Sequence, residues 1–548
     1  MRCQVVLHGG LVADGTGAPF YPATIGIVDD RIVAVARGGD GESLEGATVI
    51  DATGLAVAPG FIDVHSHSDW VLPQPGHARV LAPLIEQGVT TIVTGNCGFS
   101  PAPVTARSAR LLDHGSELLR DTAIEYDWET HREFLDQLAR QPLAINAAHL
   151  AGHGSIRLAV MGDRYSAATP ADIADMRRWV REAMDAGCFG LSTGLGYAPG
   201  MFARPDELTA LATEVAAHGG LFTSHLRAYS WISPFFPVNP LRWQAHNLRA
   251  IDEILAVGSA ARARVQISHL IFVGRGTWKT QRRAIAAIEK ARDAGLDVAF
   301  DTFPYTAGNT TIRVVYPGWA QHDLLDNVVQ PAARRRLRWE LGFARRLLQL
   351  ELADIQLLWA GTPHLAELEG LRFDQIGRAL GVDPVDAYLR VTRESNAKAR
   401  VMLFQYSGDA DTEEALRDTM AHPLNCVETD TILTTRGHHN PASFGTFPKF
   451  LGYYAREQRL VSLAAAIHKM TGFPASRLGL RDRGVIREGA AADITVFDPE
   501  RVAGPADFAA PDRRPVGIAH VLLNGAPVVR DGRYEGVCHG RVLRRPGA

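Results

Sequence analysis

The sequence predicts an α/β fold: a (β/α)8 barrel with a small β-sandwich domain that the N- and C-terminal segments form together. Three observations support this prediction. Short apolar, β-branched runs alternate with amphipathic helical patterns through the middle of the chain, as βα repeats require. Both chain ends contain strand and turn patterns instead. The 548 residues are too many for one compact core, but they suit a large barrel with a second domain.

The strand-and-turn patterns cover residues 1–57 and 482–548. Near the N-terminus, "QVVLHGGLVADG" and "TIGIVDDRIVAVA" are apolar runs interrupted by Gly-Gly, Asp-Gly and Asp-Asp turns. Near the C-terminus, "AADITVFDP" and "IAHVLLNGAPVVRDG" show the same pattern. Two strand-rich ends around a long middle indicate one β domain built from both.

The barrel is predicted over residues 58–481. Amphipathic stretches such as "PADIADMRRWVREAMDAG" have apolar residues at helical spacing and end in glycine. The longest interval between strands holds an insertion around 310–420, with an arginine-rich helix near the active-site face and a solvated charged surface. The eight predicted strands are 59–65, 89–95, 143–149, 189–193, 221–225, 264–268, 297–301 and 425–429.

Composition narrows the partners and the location. The net charge of −3 gives no reason to expect a nucleic acid or an anionic membrane as partner. No apolar run is long enough to span a bilayer, and "MRCQVVLHGG" lacks the apolar length of a signal peptide. The five cysteines are scattered, without a CxxC pair, which favours a reduced, cytoplasmic protein without disulfides. The oligomeric state is left open, a homodimer being one candidate.

Metal-binding residue types gather where the predicted barrel strands end. The chemistry of such barrels lies at the carboxyl ends of the strands. The two histidines of "DVHSHSD" are two residues apart, so both point to one face of the first strand. A lone strand-end histidine is more often a structural residue than a metal ligand. For the His-x-His pair alone, a metal-binding role and a structural role are about equally expected. Six donors on one rim favour a transition metal: His65, His67, Cys97, His225, His269 and Asp430.

Several longer segments add a family resemblance. "APGFIDVHSHSD" is similar to the first-strand signature of the amidohydrolase superfamily. "TGNCGFSPAP", "STGLGYAPGMFA", "DTFPYTAG", "FGTFPKFLG" and "KMTGFPASRLGLRDRGVIREGAAADITVFDP" resemble the N-acyl-D-amino-acid deacylase, or D-aminoacylase, family. The resemblance follows nearly the whole chain in order and is weakest over roughly residues 310–400. It implies a zinc-dependent hydrolase of a C–N amide bond.

The resemblance also implies roles for the six donors. Cys97, His225 and His269 correspond to the ligands of a tightly bound zinc, which would activate a water or polarise a carbonyl. His65, His67 and Asp430 surround a second, weaker metal position, and Asp430 is the expected general base and acid. The fourth strand, in "CFGLSTGLGY", has no lysine that could bridge two metals. This favours the deacylase subgroup over hydantoinase-like relatives.

The substrate contacts are less complete. By the family pattern, Ala442 stands where an arginine contacts the substrate carboxylate, and Phe303 stands where the family has a first tyrosine. An alanine cannot bind a carboxylate, so either nearby residues replace the arginine or the substrate lacks a free α-carboxylate. The predicted substrate-binding residues are Tyr197, Tyr305, Arg436, His438, His439 and His153; for His153 a hydrogen-bonded loop role is equally weighted.

Other functions remain as alternatives. The nearest is hydrolysis of a different small-molecule amide, such as a cyclic amide, a lactam or a specialised metabolite without a free α-carboxylate. A deaminase is disfavoured because the full set of deacylase-type segments is present. A non-catalytic relative would be expected to lose ligands, and all six donors are retained.

Overall fold

Nine strands from the two chain ends form one sheet, while the short C-terminal strand β21 (Val542–Leu543) pairs instead with the barrel strand Asn146–Gly152. The computed structural model describes residues 1–38, 44–233, 236, 244–321 and 323–547. The central pairing is antiparallel, between the last strand of the N-terminal segment and the first strand of the C-terminal segment. The strands are β1 (Arg2–Val12), β2 (Tyr21–Val28), β3 (Arg31–Arg37), β4 (Glu45–Asp51), β5 (Ala56–Pro59), β17 (Ile494–Phe497), β18 (Ile518–Leu523), β19 (Ala526–Arg530) and β20 (Arg533–Tyr534).

This terminal sheet has its own hydrophobic core. The strand order is β20-β19-β18-β17-β5-β1-β2-β3, and β4 pairs with β1. Leu7, Ile25, Val57 and Ile494 are fully or almost fully buried against one another within that core. Strands far apart in sequence therefore share one apolar face, as the sequence predicted. The domain limits of 1–57 and 482–548 stay a prediction.

The middle of the chain forms the predicted barrel, and the fold class is confirmed. Eight parallel strands follow one another in chain order. A parallel bridge between Ser66 and Thr431, beyond the first and last strands, brings the two edges of the barrel together. The strands are β6 (Phe61–Asp63), β7 (Val89–Thr94), β8 (Asn146–Gly152), β9 (Gly190–Gly194), β10 (Leu221–His225), β11 (Arg264–Ile267), β12 (Val298–Thr302) and β16 (Asn425–Val427).

Helices connect these strands and cover the barrel. The pattern at 170–187 forms a helix capped by Thr169 and Asp172 and ended by Gly187, whose φ of 101° suits glycine. The helices are α1 (His77–Glu86), α2 (Ala109–Ser116), α3 (His131–Ala139), α4 (His153–Met161), α5 (Pro170–Ala186), α6 (Pro205–Ala217), α7 (His246–Ala261), α8 (Arg275–Trp278), α9 (Gln281–Asp293), α16 (Ala442–Lys449), α17 (Leu463–Met470) and α18 (Gly472–Leu478).

The insertion contains a small antiparallel sheet that the sequence did not predict. Its strands β13 (Ala307–Thr311), β14 (Ile355–Trp359) and β15 (Arg400–Phe404) pair in the order β13-β15-β14. The arginine-rich segment is helical, as predicted, and turns only Leu337 and Leu341 fully inward. The insertion helices are α10 (Gly318–Gln321), α11 (Leu324–Asn327), α12 (Pro331–Leu348), α13 (Phe373–Leu380), α14 (Pro384–Glu394) and α15 (Glu414–Ala421).

Two further expectations can be compared with the described residues. None of their helices combines the length and the apolarity that a membrane span needs. All five cysteines are free, in agreement with the prediction that the protein has no disulfide framework.

A buried polar network joins the terminal sheet to the barrel. Asn146, at the start of β8, donates through Nδ2 to Oδ2 of Asp493 at 3.0 Å. Oδ1 of Asp493 accepts from the backbone N–H of Asn524 at 2.7 Å. Arg483 forms an ion pair with the same carboxylate, and both side chains are almost fully buried. The network fixes one side of the terminal sheet against the base of the barrel.

Replacing Asp493 with alanine should therefore destabilise the protein strongly. The change leaves the Arg483 guanidinium buried without its partner, which costs about 3–5 kcal/mol. Chemical denaturation followed by circular dichroism would measure the loss. The exposed pair of Arg178 and Asp175 supplies the control, because Asp175→Ala should change stability by less than about 1 kcal/mol. Equal midpoints for the two variants would contradict the role of this network.

Candidate functional site

All six predicted metal donors lie at, or just beyond, the carboxyl ends of barrel strands. Because the strands are parallel, these ends meet on one rim. His65 and His67 follow β6, Cys97 follows β7, His225 ends β10, His269 follows β11 and Asp430 follows β16. The structure brings all six together.

Cys97, His225 and His269 form one group of donors. The Sγ of Cys97 lies 3.6 Å from Nδ1 of His225 and 3.4 Å from Nε2 of His269. The two histidine nitrogens are 2.9 Å apart. One thiolate and two imidazoles at these separations fit the donor set of a tetrahedral zinc site with one position left open.

His65, His67 and Asp430 lie directly beside that group. The Nε2 of His65 is 3.2 Å from Sγ of Cys97 and 3.5 Å from Oδ1 of Asp430. The Nε2 of His67 lies 3.4 Å from the same carboxylate oxygen. Closure of the barrel explains this proximity, because the backbone N–H of His67 donates to the carbonyl of Thr431 at 3.0 Å. The ends of the first and last strands are thus held together.

The charges around this group of donors favour the ionised forms of Cys97 and Asp430. Burial alone would raise the pKa of the Cys97 thiol, but the imidazoles of His65 and His269 hold it well below its ordinary value. Burial likewise opposes ionisation of Asp430, yet the hydrogen bond from His67 keeps the pKa of that carboxyl below its usual range. The surroundings therefore favour the ionised thiolate and carboxylate, the forms that metal binding and proton transfer require.

Three of these residues have an unusual backbone conformation. The φ angles of Cys97, His269 and Asp430 are 54°, 30° and 46°, in the left-handed region that side chains other than glycine and asparagine rarely adopt. Each turns the chain immediately after a strand, which directs the side chain into the barrel mouth. Gly98 also has a positive φ, and a Cβ there would lie 2.6 Å from the backbone nitrogen of Gly194. Such strain concentrates at functional sites.

Two tyrosines hold the donors in place. The hydroxyl of Tyr197 donates to the carbonyl of Cys97 at 2.6 Å, and its ring lies 4.9 Å from that of His225. The hydroxyl of Tyr229 accepts from the N–H of Leu226 at 2.8 Å and donates to the carbonyl of Ser268 at 3.0 Å. The ring of Tyr229 lies 5.0 Å from the ring of His225 and from that of His269. Tyr229 thus joins the two segments that carry these histidines.

The variant Tyr229→Phe should weaken zinc binding while leaving all six donors in place. Loss of the hydroxyl leaves the buried N–H of Leu226 and the carbonyl of Ser268 without this partner, so the two histidines are less well fixed. Removing such supporting contacts lowers metal affinity about 10–100-fold. Competition with a chromogenic chelator measures the change. Tyr453→Phe, at a tyrosine that is 36% exposed and outside the donor groups, is the control and should bind zinc like the wild type.

Three buried carboxyl groups next to His65 were not among the predicted site residues. Oδ1 of Asp301 lies 3.4 Å from Nδ1 of His65 and accepts from the N–H of His269 at 2.7 Å. Glu428 is fully buried, and neither carboxyl oxygen has a hydrogen-bond partner among the described residues. Burial and the nearby carboxylates raise the pKa of Glu428 well above its usual range, although His65 opposes the shift. Burial raises the pKa of Asp63 to about 7.

A signal for these residues was present in the pattern. Asp63 stands two residues before His65, and Glu428 two residues before Asp430, so each shares a strand face with a predicted ligand. Asp301 stands near the end of the seventh strand. These residues lie near strand ends like the six donors, so they could have been predicted from the sequence in the same way.

Two predicted substrate contacts are engaged in other parts of the fold. The hydroxyl of Tyr305 donates to the carbonyl of Ala506 at 3.2 Å, and its ring packs under Nζ of Lys449 at 3.9 Å. The Nε2 of His153 lies 2.7 Å from the buried carboxylate of Glu207, which also pairs with Arg157. His153 is hydrogen-bonded, as the alternative role expected, but it is the first residue of α4 and not part of a loop.

The segment after Asp430 holds the remaining predicted contacts. Arg436 donates through Nη2 to the carbonyls of Glu117 and Arg120, and its guanidinium stacks over the ring of Trp359 at 4.2 Å. Its Nη2 is therefore occupied by two carbonyl groups. His438 and His439 are half-buried in the same segment, and Nε2 of His438 has no hydrogen-bond partner among the described residues. Ala442 is fully buried at the start of α16.

Known proteins match the chain over its full length. The family described as "Amidohydrolase family" matches residues 48–529. D-aminoacylase of Alcaligenes xylosoxydans xylosoxydans is 34% identical over 100% of this chain and 98% of its own length. N-acyl-D-glutamate deacylase of the same organism is 34% identical over 99% and 97%. The crystal structure of N-acyl-D-glutamate deacylase from Bordetella bronchiseptica, complexed with zinc and a phosphonate inhibitor, gives a TM-score of 0.80 at 32% identity and covers 99% of this chain and 100% of that one.

Proposed function

The chain belongs to the amidohydrolase family, and from this premise we propose that it is a zinc-dependent hydrolase that deacylates N-acyl-D-amino acids or closely related N-acylated compounds. The observation that carries the proposal is the convergence of Cys97, His225 and His269 beside the Asp430 carboxylate. The deacylase names of two full-length relatives support the substrate class.

The donor chemistry fits zinc. One sulfur and two nitrogen donors lie close together, and the thiol is held in the ionised form that metals bind. Cys97, His225 and His269 would hold the tight zinc, which supplies Lewis-acid polarisation of the scissile amide and activation of water. His65, His67 and Asp430 would hold a second, weaker metal.

Asp430 acts as the general base and then as the general acid. Its Oδ1 lies within 3.5 Å of both His65 and His67, which orient the carboxylate towards the donor group. Ionised at neutral pH, it accepts the proton of the attacking water and returns it to the departing amine nitrogen. Where no second metal is bound, His65 and His67 would instead stabilise the negative charge that develops on the carbonyl oxygen.

The substrate lies over this centre in the barrel mouth. Tyr197 is the predicted contact nearest the donors. Because its hydroxyl donates to the carbonyl of Cys97, it offers the substrate its ring and the acceptor side of the hydroxyl oxygen. His438 and His439 approach from the segment after Asp430 and offer imidazole nitrogens to polar groups of the substrate. Tyr305, Arg436 and His153 would act indirectly, because each is engaged by protein groups.

A second candidate function is hydrolysis of an amide without a free α-carboxylate. The buried Ala442 and Phe303 favour it, because neither offers a charge or a hydrogen bond to a carboxylate at those positions. A cyclic amide, a lactam or a specialised acylated metabolite would not need a carboxylate contact at these positions.

One panel of substrates tests the proposed function. Zinc content is measured beside hydrolysis of N-acetyl-D-amino acids, their L-enantiomers and the matching α-amides. About one tightly bound zinc per chain with D-selective release of acetate supports the deacylase assignment. Zinc binding with turnover of α-amides alone favours the second candidate, and absence of both zinc and turnover contradicts both.

For the cellular location we propose the cytoplasm. All five cysteines are free, and four of them are buried, which is typical of proteins in a reducing compartment.

A further inference from the structure

A buried arginine without a carboxylate among its hydrogen-bond acceptors lies where the inserted sheet meets segments that leave the barrel rim. Arg400, the first residue of β15, is 1% exposed. Among the described residues, no carboxylate lies within ion-pair distance of its guanidinium. A buried, unpaired charge costs several kcal/mol, so proteins rarely keep one without a ligand or partner. Burial lowers the pKa of Arg400 to about 10, which leaves the side chain charged at neutral pH.

The hydrogen bonds of Arg400 leave one edge of the buried guanidinium short of acceptors. Nη1 donates to Oγ1 of Thr434 at 3.2 Å and to the carbonyl of Leu118 at 3.4 Å. Nη2 donates to the carbonyl of Arg436 at 3.0 Å. Nε has no acceptor among the described residues, and Nη2 carries a second N–H beyond the one given to Arg436. Nε and Nη2 together form the kind of fork that binds a carboxylate with two parallel hydrogen bonds.

The position of Arg400 connects it to the candidate active site. Thr434 and Arg436 belong to the segment that begins at Asp430, beyond the last barrel strand. Leu118 belongs to the segment that follows Cys97 and the second barrel strand. Arg400 itself pairs with Thr311 of β13, a strand that continues from the end of the seventh barrel strand. Three segments that leave the metal-bearing rim therefore converge on this guanidinium.

Asp121 and Glu369 are the acidic groups whose charges act on Arg400, and both are engaged by other partners. Both oxygens of Asp121 accept from the N–H of Thr435 at 2.9 Å, and Oδ1 lies 3.4 Å from Nε of Arg436. Oε1 of Glu369 accepts from the N–H of Ala360 at 2.8 Å. Neither carboxylate contacts Arg400. The edge formed by Nε and Nη2 therefore has no carboxylate partner among the described residues.

We propose that Arg400 is the carboxylate anchor of the substrate, binding the α-carboxylate of an N-acyl-D-amino acid through Nε and Nη2. This inference rests on the proposed function and makes it more specific. It provides a positive group for the carboxylate in a chain whose position 442 is alanine. It also assigns a recognition role to the inserted sheet, which contributes none of the six metal donors.

The test compares an acid with its own amide. N-acetyl-D-leucine and N-acetyl-D-leucinamide share every group except the carboxylate. For Arg400→Met we expect kcat/KM for the acid to fall by about 10²-fold or more, because two charge-assisted hydrogen bonds are lost. Hydrolysis of the amide should fall far less than hydrolysis of the acid, because the amide offers no carboxylate to the fork. Arg400→Lys keeps the charge without the fork and should lie between the wild type and Arg400→Met.

A control and a second readout separate this proposal from a merely structural role. Arg335→Met, on the exposed surface of α12, should leave both substrates unaffected. If Arg400 only ties the three segments together, its variants lose acid and amide hydrolysis equally, and the proposal is overturned. If Arg400→Met does not fold, Arg400→Lys carries the same comparison.

Binding gives a readout that does not need turnover. The concentration of N-acetyl-D-leucine that raises the Tm of Asp430→Asn is compared with that for the double variant with Arg400→Met. A large loss of binding in the double variant supports the anchor even if acids are hydrolysed poorly. Equal binding by the two proteins overturns it. A wild type that hydrolyses only amides and does not bind the acid overturns it as well, while leaving the zinc site standing.

Discussion

The variant Cys97→Ala is expected to lose the tightly bound zinc and nearly all activity. Cys97 is the only sulfur donor in the group, and its Sγ lies within 3.6 Å of nitrogens of His65, His225 and His269. Without it, two imidazoles remain for the tight metal, too few to hold it. Loss of Lewis-acid stabilisation worth several kcal/mol corresponds to a fall of about 10³-fold or more in kcat/KM.

Zinc content after dialysis, measured by mass spectrometry beside hydrolysis of the best substrate, checks this expectation. Cys188→Ala is a matched control, because Cys188 is equally buried but lies outside the donor groups. The control should keep its zinc and its rate. A Cys97→Ala protein that retains one zinc per chain and wild-type turnover would falsify the assignment of Cys97 as a ligand.

Asp430→Asn should separate metal binding from proton transfer. The substitution keeps the shape of the side chain but removes the group that accepts and returns the proton. General acid–base catalysis contributes about 10²–10⁴-fold, so kcat should fall within that range. The tight zinc should remain, because Cys97, His225 and His269 are unchanged.

The pH dependence gives this prediction a direction. Because His67 holds the pKa of Asp430 below its usual range, the wild-type carboxylate is ionised at neutral pH, and kcat/KM should decline only as the pH falls through that low value. The acid limb should disappear in Asp430→Asn. Asp175→Asn, at an exposed position of α5, should keep the wild-type profile. Unchanged kcat in Asp430→Asn, or loss of the tight zinc, would count against the proposed role.

The local pattern of residues was enough to predict the barrel and its donors. A strand places residues i and i+2 on one face, and parallel strands present their carboxyl ends on one rim, so His65, His67, Cys97, His225 and His269 were expected to converge. The predicted strands lie close to the observed ones, and the largest shift of a strand start is at β8, which begins at Asn146 rather than at 143. That the donor residues bind a metal stays a prediction.

Other features depended on contacts between distant segments. The small sheet β13-β15-β14 consists of five-residue strands whose partners lie many residues away, so no local period announces it. The same applies to Arg436, which looked available in the sequence but is held by Glu117 and Arg120. A residue such as Arg436, which the sequence places in a loop, thus makes structural contacts in the fold.

The sequence by itself determined the fold class, the strand-end positions of the six donors and the family resemblance, because each depends on short-range periodicity or on segments of contiguous residues. Only the tertiary structure decided which groups meet across the barrel mouth. Closure between Ser66 and Thr431 places Asp430 beside His67, and the pairing of β13 with β15 buries Arg400 among three segments of the rim. Such meetings follow from long-range hydrogen bonding and packing, which a local sequence pattern does not encode.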